Sequence, residues 1–215
     1  MKKLFIFDFD GTLFDSIDDV VNCLDKSLRH NNFPTLTGQD YKNCLGGNID
    51  EIMSAVLGDN SNAENIEVMK KTYNQCYGRS KKENTKPFKG VSQVLEKLNG
   101  ENVLLAINSN RSTRSIKFFT EKYFKDIDFV LIEGHNPDYP SKPHPYGVEK
   151  IIEKSGLSLQ EAVYVGDSKT DIQTAKNAGI DCIIVKYGYG NENDWNDDYP
   201  IKTIDDISEL INLKI

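Results

Sequence analysis

Residues 4–16 read LFIFDFDGTLFDS, a short apolar run that ends in two acids, Asp8 and Asp10, followed at once by Gly11-Thr12. An apolar run stopped by a turn signal predicts a buried parallel strand. Carboxylates are poor ends for such a strand, because an unpaired charge taken out of water is strongly disfavoured. A cation removes that penalty, and hard divalent cations take oxygen ligands. The run therefore predicts a metal–carboxylate site at the C-terminal end of a strand, where open α/β sheets bind their ligands. A helix cap or a turn acid is the alternative reading of a D-x-D standing alone.

The chain around this motif has 215 residues, enough for one large domain or one domain carrying an insertion. Hydrophobic residues make up 38% and charged residues 27%, which suits a soluble globular protein with a real core. A net charge of -7 argues against nucleic-acid binding, which needs a basic face. It leaves room for a small anionic substrate, since a metal and a few lysines can dominate the field inside a cleft. Cys23, Cys44, Cys76 and Cys182 are far apart with no C-x-x-C pair, so they read as buried thiols of a reducing compartment. With no apolar run near 18 residues and acids inside the first strand, neither a signal peptide nor a membrane span is expected, and the cytoplasm is the expected location.

Five apolar runs, 4–9, 103–108, 129–132, 163–166 and 182–185, are predicted as strands. Helical patterns separate most of them, the alternation of an α/β fold with a Rossmann-like three-layer parallel sheet. Residues 16–86 break the alternation. There Ile17, Val20, Val21, Leu24 and Leu28 recur at helical spacing, as do Ile49, Ile52, Met53, Val56 and Leu57, and Ile66, Met69, Tyr73 and Tyr77. The economical organisation is a catalytic core from 1–15 and 87–215 with a helical-bundle cap inserted at 16–86. Ser16 with Asp19 resembles a capping box at the start of the first insert helix. A surface loop is expected over 188–200, and a last helix over 205–213.

Three further polar features fall at the ends of later strands. Asn108-Ser109-Asn110-Arg111 precedes a helix for which Ser112 and Thr113 are candidate caps. A hydroxyl and backbone N–H groups at a helix start can hold phosphate, although Ser109 can equally serve as a cap. Lys142, in SKPHP, stands at a helix start, the end where cations are disfavoured, which makes sense if it neutralises an anion; a solvated lysine is the alternative. Asp167 closes the strand before GDSKTD, and Asp171 lies one helical turn on along the same face. Helix capping also accounts for either acid. Taken together, an acid pair, a hydroxyl, a lysine and a second acid pair follow successive strands at one sheet edge. Those are the parts needed for phosphoryl transfer through an aspartyl-phosphate.

DFDGTLFDS, Ser109, the K-P-x-P at Lys142 and GDSxxD from Gly166 resemble the four signature motifs of the haloacid dehalogenase superfamily. The insertion resembles that family's helical type 1 cap, and the likeness runs through Tyr187-Gly188-Tyr189-Gly190 to the last expected helix, essentially the whole chain. The resemblance implies that Asp8 is the nucleophile and Asp10 the general acid and base. It implies that Mg²⁺ is held by Asp8, Asp167 and the main-chain carbonyl of Asp10. Asp171, counted with the metal carboxylates, would orient Asp167 or a metal-bound water rather than ligate. Ser109 and the N–H of Asn110 would hold phosphate oxygens, with Lys142 offsetting repulsion between the phosphate and Asp8.

An acid at position 10 favours phosphate esters, because members that break carbon–halogen or carbon–phosphorus bonds lack it. Gly46, Gly47 and Asn48 resemble the cap loop of phosphoglycolate phosphatase-like enzymes and are expected to meet the substrate. The basic residue that sugar phosphomutases carry in that loop is missing. Arg111 stands where many relatives have lysine. A phosphatase acting on a small phosphorylated metabolite is thus the expectation, with a sugar phosphomutase as its nearest rival. A silent module that keeps the fold is disfavoured by the retention of Asp8, Asp10, Lys142 and Asp167. The three histidines are expected at the surface or in turns, and nothing in the sequence bears on oligomeric state.

Overall fold

A computed structural model describes residues 2–213. These divide into two compact units, one of residues 2–14 and 87–213 and one of residues 15–86. The chain passes between them through two short paired strands, β2 (Phe14–Asp15) and β3 (Lys86–Pro87).

The first unit is built on a parallel sheet. Its strands among the described residues are β1 (Leu4–Phe7), β4 (Leu104–Ser112), β5 (Phe129–His135), β6 (Ala162–Gly166), β7 (Asp181–Val185) and β8 (Lys202–Ile204). They lie in the order β5-β4-β1-β6-β7-β8. Leu4, Phe5, Ile6 and Phe7 pair with residues 104–107 on one side and 162–165 on the other, so β1 is central and its side chains are buried on both faces. Phe5 and Phe7 point into a core with α5 (Val91–Gly100) and α6 (Thr113–Tyr123). Leu4 and Ile6 point into another with α7 (Tyr146–Ser155) and α8 (Lys169–Ala178). This is the expected three-layer α/β architecture. The strand order reverses direction around β1, which makes the C-terminal end of β1 the topological switch point.

The second unit packs α1 (Ile17–His30), α2 (Gly38–Asn43), α3 (Ile49–Leu57) and α4 (Ala63–Arg79) around Leu24, Leu28, Met53 and Met69. Among the described residues no helix is long and apolar enough to cross a membrane.

Several local expectations need correction. The first strand stops at Phe7 rather than Phe9, because the N–H groups of Leu13 and Phe14 both turn back to the Phe9 carbonyl. β4 runs on to Ser112, so Ser109, Asn110 and Arg111 lie in a strand and not at a helix start. Ser112 is the cap, accepting from the N–H of Ser115. Ser16 makes no side-chain cap bond, and Asp19 instead accepts from Asn84 and Thr85. The stretch 188–200 is not simply a surface loop: it holds a short helix, α9 (Glu192–Trp195), whose Asp194 is buried and accepts from Asn191. β8 is an edge strand too short and polar to announce itself, and the last helix is a 3₁₀ turn over Ile207–Asn212. α2 was not expected either; it buries Tyr41, whose hydroxyl donates to Asp25. Of the four free cysteines, Cys44 and Cys76 are only half-buried.

Candidate active site

Three neighbouring strands deliver the polar groups to one place. β1 ends just before Asp8, whose N–H continues the ladder to the Val165 carbonyl at 2.9 Å. β6, on one side, ends before Asp167, and β4, on the other, carries Ser109 and Asn110. Between Asn108 and Ser112 the β4–β5 register slips, four steps along β4 matching two along β5 from Glu133 to His135. Such a bulge re-aims side chains at a sheet edge. Gly11, at φ +80°, lets the chain fold back against Asp167; a Cβ there would sit 2.3 Å from Asp167 Oδ2.

Asp8, Asp167 and Asp171 are buried with carboxylate oxygens within 4.8 Å of one another. Lys142 lies among them, 5% exposed, with Nζ 2.9 Å from Asp8 Oδ1 and 2.7 Å from Asp171 Oδ1. It also donates to the Tyr164 hydroxyl at 3.2 Å, which in turn donates to the Asn108 carbonyl. Burial works against the lysine's charge, yet Asp171 and Asp8 outweigh it and hold the ammonium pKa well above its ordinary value. For Asp8 the balance goes the other way. Burial, resisted by Lys142 and reinforced by Asp171 and Asp10, pushes its carboxyl up to about 7. Asp167 is likewise pushed well above the carboxylate range, by burial and then by Asp171 and Asp8.

One cation for three buried carboxylates leaves the cluster with surplus negative charge. The donor set is all oxygen, so the residues present fit a hard divalent cation such as Mg²⁺.

Asp171 is fully buried and already engaged at both oxygens. Oδ1 pairs with Lys142, while Oδ2 accepts from the N–H groups of Asp167 and Ser168 and from the Ser168 hydroxyl. Its geometry is that of a brace between Lys142 and Asp167. Asp167 itself accepts from Thr12 Oγ1 at 3.2 Å and from the N–H of Tyr189 at 2.7 Å.

Asn110 takes an unforeseen part: its side chain accepts from the N–H of Lys142 at 2.9 Å and donates to the Lys142 carbonyl at 3.2 Å. The Ser109 hydroxyl is buried and accepts from the N–H of Arg111. Arg111 reaches Asp10, with Nη2 2.6 Å from Oδ1 and Nε 2.9 Å from Oδ2. His135 Nδ1 lies 2.8 Å from the Ser141 hydroxyl, bracing the segment before Lys142.

Thus Asp8, Asp10, Ser109, Asn110, Lys142, Asp167 and Asp171 are gathered within the first unit. Gly46, Gly47 and Asn48 belong to the second unit, where Asn48 caps α3 in a reciprocal box with Glu51. Gly47 leaves room for that box, since a Cβ there would meet Glu51 Oε2 at 2.4 Å. The sequence reading gave Thr12, Tyr164 and Tyr189 no role at the site; Thr12 had a signal in its place straight after the acid pair and Gly11, Tyr189 in its place between two glycines after a strand, and Tyr164 had none.

Comparison with known proteins agrees with this arrangement. The profile of the haloacid dehalogenase-like hydrolase family matches residues 5–185. The phosphoglycolate phosphatase of Aliivibrio fischeri is 27% identical, over 97% of this chain and 95% of its own. That of Aquifex aeolicus is 28% identical, over 98% and 97%. A haloacid dehalogenase-like hydrolase from Bacteroides fragilis superposes with a TM-score of 0.90 at 26% identity, covering 98% of this chain and 100% of that one. The chain belongs to the haloacid dehalogenase-like hydrolase family of enzymes.

Proposed function

We propose that this hydrolase is a Mg²⁺-dependent phosphatase that cleaves a small phosphate monoester, phosphoglycolate-like in size, through an aspartyl-phosphate on Asp8. The observation that carries this reading is the buried Asp8–Asp167–Asp171 cluster with Lys142 bonded to both Asp8 and Asp171 at the sheet's switch point. The names of the relatives, matched over 95% and 97% of their own length, support the substrate class.

In the first half-reaction an Asp8 oxygen attacks phosphorus, and the bond from phosphorus to the ester oxygen breaks. Asp10 gives its proton to the departing alkoxide. In the second, Asp10 takes a proton from water as the water oxygen attacks phosphorus, and the bond to Asp8 breaks to release phosphate. Acid–base help of this kind is typically worth about 10²–10⁴-fold. Mg²⁺, held by Asp8, Asp167 and the main-chain carbonyl of Asp10, would supply positive charge to the transferring phosphoryl group. Lys142 adds a fixed positive charge next to Asp8, so that an anionic ester can approach an anionic nucleophile. Ser109 and the N–H of Asn110 hold phosphoryl oxygens. Asp171 is a positioning residue, fixing Lys142 and Asp167 in one geometry.

A screen of phosphate esters with Mg²⁺, read by released phosphate, tests the proposal. It should include glycolate, sugar and nucleotide phosphates and pyrophosphate. Release from small monoesters, abolished by chelation, is expected. Full activity after exhaustive chelation, or interconversion of sugar phosphates without release, would overturn it.

A further inference from the structure

Asp10 does not stand free in this structure. Arg111 takes both of its oxygens in a fork, with Nε at 2.9 Å from Oδ2 and Nη2 at 2.6 Å from Oδ1. The guanidinium is fixed from elsewhere as well. Nη1 donates to Ser115 Oγ at 3.1 Å, and the group lies against the rings of Phe9 and Phe119, at 5.1 and 6.0 Å from their centroids. Its side chain is 8% exposed, whereas that of Asp10 is 30% exposed.

An acid that must reach a leaving oxygen has to give up at least one of these bonds. A guanidinium this deeply buried is costly to leave without an anion. Its fork matches a carboxylate or phosphate two bonds at a time, which a lysine's single ammonium does not.

We propose that Arg111 is a specificity-determining residue that reads a second negative charge, a carboxylate or phosphate, on the leaving group. Such a leaving group takes over the guanidinium as Asp10 turns toward the ester oxygen. A neutral leaving group offers nothing in exchange, and Asp10 stays clamped. The inference deepens the phosphatase reading above and rests on it. It adds which leaving groups are preferred and the residue that prefers them.

The test compares three phosphorylated compounds with the enzyme and Mg²⁺: 2-phosphoglycolate, 2-hydroxyethyl phosphate, which has the same size but a neutral leaving group, and acetyl phosphate, an acyl phosphate whose activated leaving group needs no acid. Wild type is expected to favour phosphoglycolate over hydroxyethyl phosphate in kcat/KM by about tenfold or more, because only the charged leaving group keeps the buried guanidinium paired once Asp10 turns away. In Arg111→Met the phosphoglycolate rate falls, the hydroxyethyl phosphate rate holds or rises because Asp10 is no longer clamped, and the ratio collapses toward one. Arg111→Lys retains part of the ratio. A wild-type ratio near one, or a ratio undiminished in Arg111→Met, overturns the proposal while acetyl phosphate cleavage keeps the phosphatase reading intact. Should wild type cleave none of the three, the phosphatase reading fails and this inference with it. The wild-type ratio and Arg111→Lys decide the matter even where Arg111→Met does not fold.

Discussion

The side-chain amide of Asn110 grips both backbone polar groups of Lys142, 32 positions along the chain, accepting at 2.9 Å and donating at 3.2 Å. The lysine that pairs with Asp8 is thereby fixed at its main chain by a strand and at its ammonium by Asp171. Asn110→Ala should lower kcat by about 10–100-fold, the usual loss when a group orienting a site residue is removed, with an unchanged circular dichroism spectrum. The loss should shrink in a Lys142→Ala background, because it acts through that lysine. Full additivity of the two substitutions would show that Asn110 acts some other way.

Lys142→Met leaves Asp8 and Asp171 buried beside each other without their cation. Breaking a buried pair from one side costs about 3–5 kcal/mol, so urea unfolding of the metal-free protein near neutral pH should show a loss of that order. A loss below about 1 kcal/mol would mean that the pair contributes no more than a surface ion pair does.

The acids give the metal-free protein a characteristic pH response. Asp8 is raised from 3.8 to about 7, and Asp167 is raised as well. A raised carboxyl favours the folded state while it holds its proton. That contribution is complete below the unfolded value and disappears as pH rises through the folded one. Metal-free stability should therefore decline between about pH 4 and pH 7 on account of these groups. The raised pKa of Lys142 acts in a different window, since its contribution is complete below 10.5. Mg²⁺ competes with the same protons, so it should raise Tm more at about pH 8 than at about pH 5. Thermal melts with and without Mg²⁺ at both pH values check this, and a larger shift at the lower pH would contradict it.

Much of this site was legible because its chemistry sits at the ends of strands whose burial is written locally. Leu4, Phe5, Ile6 and Phe7 can only be a strand covered on both faces, and an acid straight after such a strand demands a partner. The same holds for Val163, Tyr164 and Val165 before Asp167. What stayed hidden depends on partners distant in sequence. Tyr164 reads as one more apolar strand residue until its hydroxyl is found between Lys142 and Asn108. Asp19 looks like a cap until Thr85 claims it. Arg111 stood out as a departure from its relatives, but its fork onto Asp10 is a property of the folded bulge, not of the motif. β8 has only three residues, and its pairing with β7 alone makes it a strand.

Everything in the proposed reaction depends on Asp8 carrying the phosphoryl group during turnover. Rapid acid quench of a single turnover, followed by peptide mass analysis, measures this directly. The peptide containing Asp8 should transiently gain the mass of one phosphoryl group, and Asp8→Asn, folded as wild type, should show neither the added mass nor phosphate release. Turnover that proceeds with an unmodified Asp8 peptide at every quench time, or Asp8→Asn retaining a substantial share of wild-type phosphate release, would rule out a covalent intermediate on Asp8.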